Sequence, residues 1–307
     1  MTLPVGIHDG IPAEQYHRDE LTPEPSLSRS GIVTILNGTL ADFAAKNPRL
    51  TQWPETMRES TDATDLGEVV HAMVLGTGSK FSVRDPWDFT APKTNKPYET
   101  WSGAAKEWRD AERARGMIVI GRDTNAMAMQ ISEKLTGALR ERFGAAAWDT
   151  SAREQTVLAK RRLNDGSEIW CRIRIDALLK AAILDVKTTA LSLSDVALGK
   201  EMAIKGLDVQ AAFYQDVLAS AMSSIHDSHG PFDPLLFIFA YIQTVPPYAI
   251  RFVNLDDPDL NWPLSITRME IDLAAHRFGA ALKANVFPDD PIYAKPVYPE
   301  WLKNQKA

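Results

Sequence analysis

The stretch "ILDVKTT", residues 183–189, decides the fold. It reads as a buried strand, yet Asp185 and Lys187 lie inside it, the only Asp/Glu-x-Lys of the chain. Residues two apart on a strand share a face, so an acid and a base stand side by side where burial is expected. Just upstream, "CRIRIDALL" (171–179) alternates Arg172, Arg174 and Asp176 with Ile173, Ile175 and Ala177. If the two strands pair across the turn "LKAA", Asp176, Asp185 and Lys187 converge at one end of a sheet. Two adjacent carboxylates repel unless a cation sits between them. Mg²⁺ or Mn²⁺ suits such oxygen donors and keeps water positions open. Lys187 would then position a water or help to deprotonate it. A cross-strand salt bridge at a sheet end is the competing reading of the same residues.

Working outward, "EQTVLAKRRL" (154–163), the turn "NDGS" and "EIWCRIRIDALLK" (168–180) show period two and a hairpin turn. Farther upstream the spacing predicts a helix over about 63–75, capped by Thr61 or Asp62 and stopped by Gly76 or Gly78. Leu66, Val69, Val70, Met73 and Val74 form its apolar stripe. His71 falls among these core-facing residues, with Gly67 one turn before it. A buried histidine is usually structural; here it would add a ligand or hold a water.

Downstream, residues 191–222 read as one helix placing Gln210 and Tyr214 on one face, where they would bind phosphate or brace Asp185 and Lys187. Residues 234–245 and 248–255 return to strands, 265–285 form a closing amphipathic helix, and a proline-rich tail follows. The first 30 residues read as loop, ending where Ser28 or Ser30 caps a helix. Residues 84–98, with three prolines, read as an exposed loop, followed by a charged helix within 99–116 and another over about 124–143. Trp101 and Trp108, seven apart, read as packing residues rather than base-stacking ones. The sum is one α/β unit over 1–307, a mixed central sheet flanked by helices. Its parts are an N-terminal arm and first helix (1–60), the His71 region (61–145), the catalytic sheet with the Gln210 helix (150–255) and the closing helix with its tail (256–307).

Composition narrows the function. The 307 residues are 45% apolar and 24% charged, with net charge −6 and pI about 5.6. A wholly basic nucleic-acid-binding surface is excluded, though a local basic groove is not. The single Cys171 permits no intramolecular disulfide and no cysteine-built zinc or iron–sulfur site. The opening "MTLPVGIHDG" lacks a basic-then-apolar leader, and no apolar run reaches the ~18–20 residues that cross a bilayer. The expectation is a cytoplasmic protein without membrane contact.

Taken in order, Gly67-x-x-x-His71, Glu154, Asp176, Asp185-x-Lys187 and Gln210-x-x-x-Tyr214 resembles the PD-(D/E)XK nuclease superfamily and its RecB-like and phage exonuclease branches. Nearest is the exodeoxyribonuclease VIII (RecE-type) nuclease domain family of phages and prophages. "YHRDELTPEPSLSRSGIVTIL", "DLGEVVHAMVLG", the 93–120 segment, the catalytic strands, the 237–255 strand pair and the "FPDDPIYAKPVYPEWL" tail are each similar to that family.

The resemblance implies a restriction-endonuclease-like fold. His71, Asp176, Asp185 and the Val186 carbonyl would be metal ligands and Lys187 the catalytic lysine. Glu154 would serve as a second-metal or water ligand, Arg174 occupies the family's arginine position, and Gln210 and Tyr214 match its helix. Asp185 departs from the glutamate many relatives carry. The implied activity is Mg²⁺-dependent (Mn²⁺ alternatively) exonuclease action on double-stranded DNA ends, 5′→3′, leaving a 3′ single strand. A single-strand annealing recombinase would use that strand, and a homo-oligomeric ring would surround the DNA. Arg172, Arg174, Lys160, Arg161, Arg162 and the Lys93–Lys96 loop are the candidate phosphate contacts. Competing readings are a Cas4-like or RecB-like nuclease of other polarity, a non-catalytic DNA-end-binding protein on the same scaffold, and a structural phage protein.

Overall fold

In a computed structural model, the described residues are 2–51, 62–91, 93–97, 101, 103–225, 235–257 and 264–289. In chain order the strands are β1 (Gly6–His8), β2 (Ser26–Leu27), β3 (Phe81–Arg84), β4 (Ile118–Gly121), β5 (Ala152–Arg162), β6 (Glu168–Leu178), β7 (Ala182–Thr189), β8 (Leu236–Gln243) and β9 (Ile250–Asn254). The helices are α1 (Ala13–His17), α2 (Arg29–Asn37), α3 (Leu40–Lys46), α4 (Asp62–Leu75), α5 (Ala104–Ala114), α6 (Arg122–Phe143), α7 (Ala145–Asp149), α8 (Asp195–Lys205), α9 (Leu207–Ile225) and α10 (Leu264–Ala284).

Seven strands form the main sheet in the order β1-β5-β6-β7-β8-β9, with β2 on β6. Its long hairpin, β5–β6, runs from Arg162↔Glu168 to Ala152↔Leu178. Gly166, at φ +81, closes the turn, and Asp165 Oδ1 accepts from Ser167 N–H at 3.0 Å. β7 and β8 run parallel through eight paired positions, so α8 and α9 form the crossover between them. Ser194 caps α8 by accepting from Ala197 N–H, and Gly206 in the left-handed region ends it. The expected single helix is therefore two, because a helix cannot continue through that backbone.

Both faces of the sheet are covered. Ile173, Ile175, Ile183, Phe237 and Phe239 meet α2, α9 and α10. Leu184, Val186, Ile238, Ala240 and Ile242 meet α4 and α6. Double burial explains why β7 and β8 read as near-continuous apolar runs. On the α4 side, a β-carbon at Gly67 would lie 2.8 Å from Thr188 Oγ1, so glycine lets α4 approach β7 and carry His71 inward.

The loop expected over the first 30 residues is corrected in part. β1 pairs with β5, β2 pairs with β6, and α1 lies between them. Tertiary pairing supplies the hydrogen bonds that so short a run cannot secure alone. Ser28 is the cap of α2, accepting from Gly31 N–H. The small parallel sheet β3–β4 had no period-two signal to betray it. Within 84–98 the structure places a 3₁₀ turn at Pro86–Asp88 and a bridge between Thr90 and Pro97. Trp101 and Trp108 stack at 6.5 Å, the packing role expected of them. Thr61 and the tail beyond residue 289 lie outside the described residues.

Candidate metal centre

The site begins where β6 and β7 part. The strands pair only at Ala177↔Leu184 and Leu178↔Ile183. Beyond that, the Asp176 carboxylate takes the place of a ladder acceptor and receives Val186 N–H at 2.8 Å. This bond ties Asp176 to the strand that carries Asp185 and Lys187. Opposite Asp176, Glu154 adopts φ +51 near the start of β5, a conformation that costs a non-glycine residue and is tolerated where the surroundings enforce it. Arg174 enforces it here, donating from Nε to Glu154 Oε2 at 2.7 Å and from a terminal nitrogen to the Ile11 carbonyl at 2.8 Å.

α4 inserts His71 between these acids. Its Nε2 lies 3.0 Å from Asp176 Oδ2 and its Nδ1 3.9 Å from Glu154 Oε1. One ligand atom from each of His71, Glu154 and Asp176 falls within 4.8 Å of the others, a geometry able to hold a metal ion. Asp185 is adjacent but separately engaged. Lys187 contacts its Oδ2, and Gln210 Nε2 donates to its Oδ1.

Electrostatics separate the acids. Burial pushes the Asp185 carboxyl up, and neighbouring Asp176 adds to that, against the pull of Lys187. Burial acts on Asp176 in the same direction, but His71, Lys187 and the Val186 N–H outweigh it and hold it below the ordinary range. Burial alone would lower His71; Asp176, Glu154 and Asp185 override it and hold the imidazolium up to about 9. Without metal, three carboxylates are thus balanced by Lys187, Arg174 and the His71 proton. A divalent cation fits this donor set, since it can replace that proton and supply the charge the acids require.

A stability test follows for chelator-treated protein. His71 has a folded pKa raised above its unfolded value of 6.5. Its contribution is complete below 6.5 and disappears as pH rises through about 9. Urea unfolding at pH 6 and pH 9.5 in EDTA should therefore show a loss of stability with rising pH that is smaller in His71→Gln. Parallel behaviour of the two proteins would contradict the assignment.

Tyr214 is buried edge-on to Phe237 at 5.7 Å, and burial, Tyr16, Asp185 and Asp176 all push its hydroxyl up. Not every other expected residue reaches the centre. Val186 enters through its N–H, whereas the resemblance points to its carbonyl. Arg172 corrects the phosphate-contact expectation. It is buried against Asp19, and it also donates to Ser26 O and Oγ at 2.8 and 2.7 Å. Arg172→Met should cost about 3–5 kcal/mol in urea unfolding, because Asp19 is left buried without its cation. A loss of DNA affinity at unchanged stability would contradict that role. Lys160 pairs with Glu168 at 3.0 Å, and Arg161 bridges Asp216 and Asp272. Arg162, Lys93 and Lys96 are exposed. The left-handed backbone at Glu154 had no sequence signal, since glutamate rarely marks that conformation.

No family model and no curated protein matches the chain. Among solved structures, a candidate exonuclease from Eubacterium rectale aligns over 98% of this chain and 99% of its own, with a TM-score of 0.54 and 15% identity. At that identity the likeness is one of fold. The protein has the restriction-endonuclease-like α/β fold, a mixed central sheet flanked by helices. A second structure, SSO0001, covers 69% of this chain and 83% of its own at 12% identity and a TM-score of 0.27, and carries no argument. Among the described residues, no helix is long and apolar enough to cross a membrane.

Proposed function

We propose that the protein is a metal-dependent nuclease that hydrolyses phosphodiester bonds at duplex DNA ends, in the manner of the exodeoxyribonuclease VIII family. The observation that carries this reading is the convergence of His71, Glu154 and Asp176 at the β6–β7 split, with Asp185 and Lys187 on the adjoining strand. The solved neighbour's description as a candidate exonuclease agrees with it. His71, Asp176 and Asp185 would hold Mg²⁺ or Mn²⁺, with Glu154 beside them. Such an ion would supply an acidified water and offset charge on the phosphate in the transition state. Gln210 fixes the Asp185 carboxylate and Arg174 fixes Glu154, so neither acid turns away. Lys187, now on Asp185, would donate to the attacking water or to a phosphate oxygen. Exposed Arg162, Lys93 and Lys96 are the remaining phosphate contacts.

The finer reading is 5′→3′ digestion that leaves a 3′ strand for an annealing recombinase, carried out by a ring of subunits. Linear duplex labelled at either the 5′ or the 3′ terminus, beside closed circular duplex, tests the polarity and the need for an end. Release of 5′ label first, with circles intact, is expected. Cleavage of circles would make the protein an endonuclease of the same fold and overturn the exonuclease reading.

A further inference from the structure

Two buried side-chain oxygens on β7 and β8 have no hydrogen-bond partner among the described residues: Asp185 Oδ2 and Tyr241 Oη. Asp185 Oδ2 is compensated by the ionic contact with Lys187. Tyr241 has no such compensation, although its side chain is fully buried. A buried hydroxyl without a partner is costly and calls for an explanation.

The position of Tyr241 offers one. In the parallel β7–β8 ladder Tyr241 is the register partner of Lys187, as Phe239 is of Asp185. All four side chains project toward the same face, by the alternation of strands. The Lys187 ammonium lies 5.7 Å from the centre of the Phe239 ring, and that ring is 6.3 Å from Tyr241. Glu201, the acid that acts most strongly on Tyr241, gives its Oε1 to Lys205 and makes no hydrogen bond with Tyr241 Oη. Lys187 thus holds Asp185, and its register partner on the next strand carries a buried hydroxyl with no hydrogen-bond partner among the described residues.

We infer that Tyr241 is a positioning residue for Lys187: when a divalent cation takes the Asp185 carboxylate, the displaced ammonium donates to Tyr241 Oη. This inference rests on the metal reading above. Without Tyr241, the displaced ammonium would have only solvent to donate to, from a partly buried side chain. The hydroxyl therefore lowers the cost of binding the cation and fixes where Lys187 waits for the phosphate.

Calorimetric titration of Mn²⁺ into wild type, Tyr241→Phe, Lys187→Ala and the double variant tests this, with thermal unfolding in EDTA alongside. Tyr241→Phe should bind Mn²⁺ about tenfold more weakly, the size of one hydrogen bond to a charged donor. Its unfolding temperature in EDTA should not fall, because no partner is lost. In the Lys187→Ala background the Mn²⁺ deficit should vanish. Equal affinity of wild type and Tyr241→Phe would overturn the inference, as would a deficit that persists without Lys187. A wild type that binds no Mn²⁺ would overturn this inference and the metal reading together, whereas the other two failures leave that reading intact.

Discussion

Asp176→Asn is expected to reduce metal-dependent cleavage by on the order of 10³-fold, equivalent to about 4 kcal/mol of lost transition-state stabilisation. The amide keeps an oxygen for Val186 N–H, so the β6–β7 junction should fold. What disappears is the charge that faces His71 and would hold the cation. Metal affinity and rate should fall together, and excess Mg²⁺ should not restore the rate. The check is label release from linear duplex across a Mg²⁺ titration. A variant within tenfold of wild type at saturating Mg²⁺ would exclude Asp176 as a ligand.

Lys187→Ala should separate binding from chemistry. The ammonium competes with any cation for Asp185. Removing it should leave Mn²⁺ affinity unchanged or higher, while the rate falls by about 10²–10⁴-fold, as for a lost proton-transfer group. The pair of measurements discriminates between roles. If the rate at saturating metal survives, Lys187 only neutralises Asp185, and the salt-bridge reading of "ILDVKTT" is the correct one.

The sheet was legible because its strands obey simple rules. The β5–β6 hairpin carries an Asn-Asp-Gly turn, and β7 and β8 have the apolar runs of strands buried on both faces. The His71 helix was legible from its stripe and its glycines. The N-terminal arm was not, because β1 and β2 take their hydrogen bonds from β5 and β6 and are too short to signal themselves.

At the site, residue identities could be read but their pairings could not. Both arginines of "CRIRID" looked alike on one strand face, yet Arg172 is consumed by buried Asp19 and Arg174 by Glu154. Asp19 lies more than a hundred residues away in the sequence, and nothing local marks it as the partner of Arg172. Tyr241 was hidden for the opposite reason. An aromatic residue in an apolar strand is ordinary, and only a buried hydroxyl with no partner among the described residues, on the register partner of Lys187, distinguishes it.

The most direct test of the account is release of 5′-terminal label from linear duplex by the purified protein, with Mg²⁺ and with EDTA. Release that requires the metal, and is lost in both Asp176→Asn and Lys187→Ala, is the predicted result. A folded wild type that releases nothing with Mg²⁺ or Mn²⁺, or one that cleaves equally well in EDTA, would contradict the claim that this cluster is a metal-dependent nuclease centre.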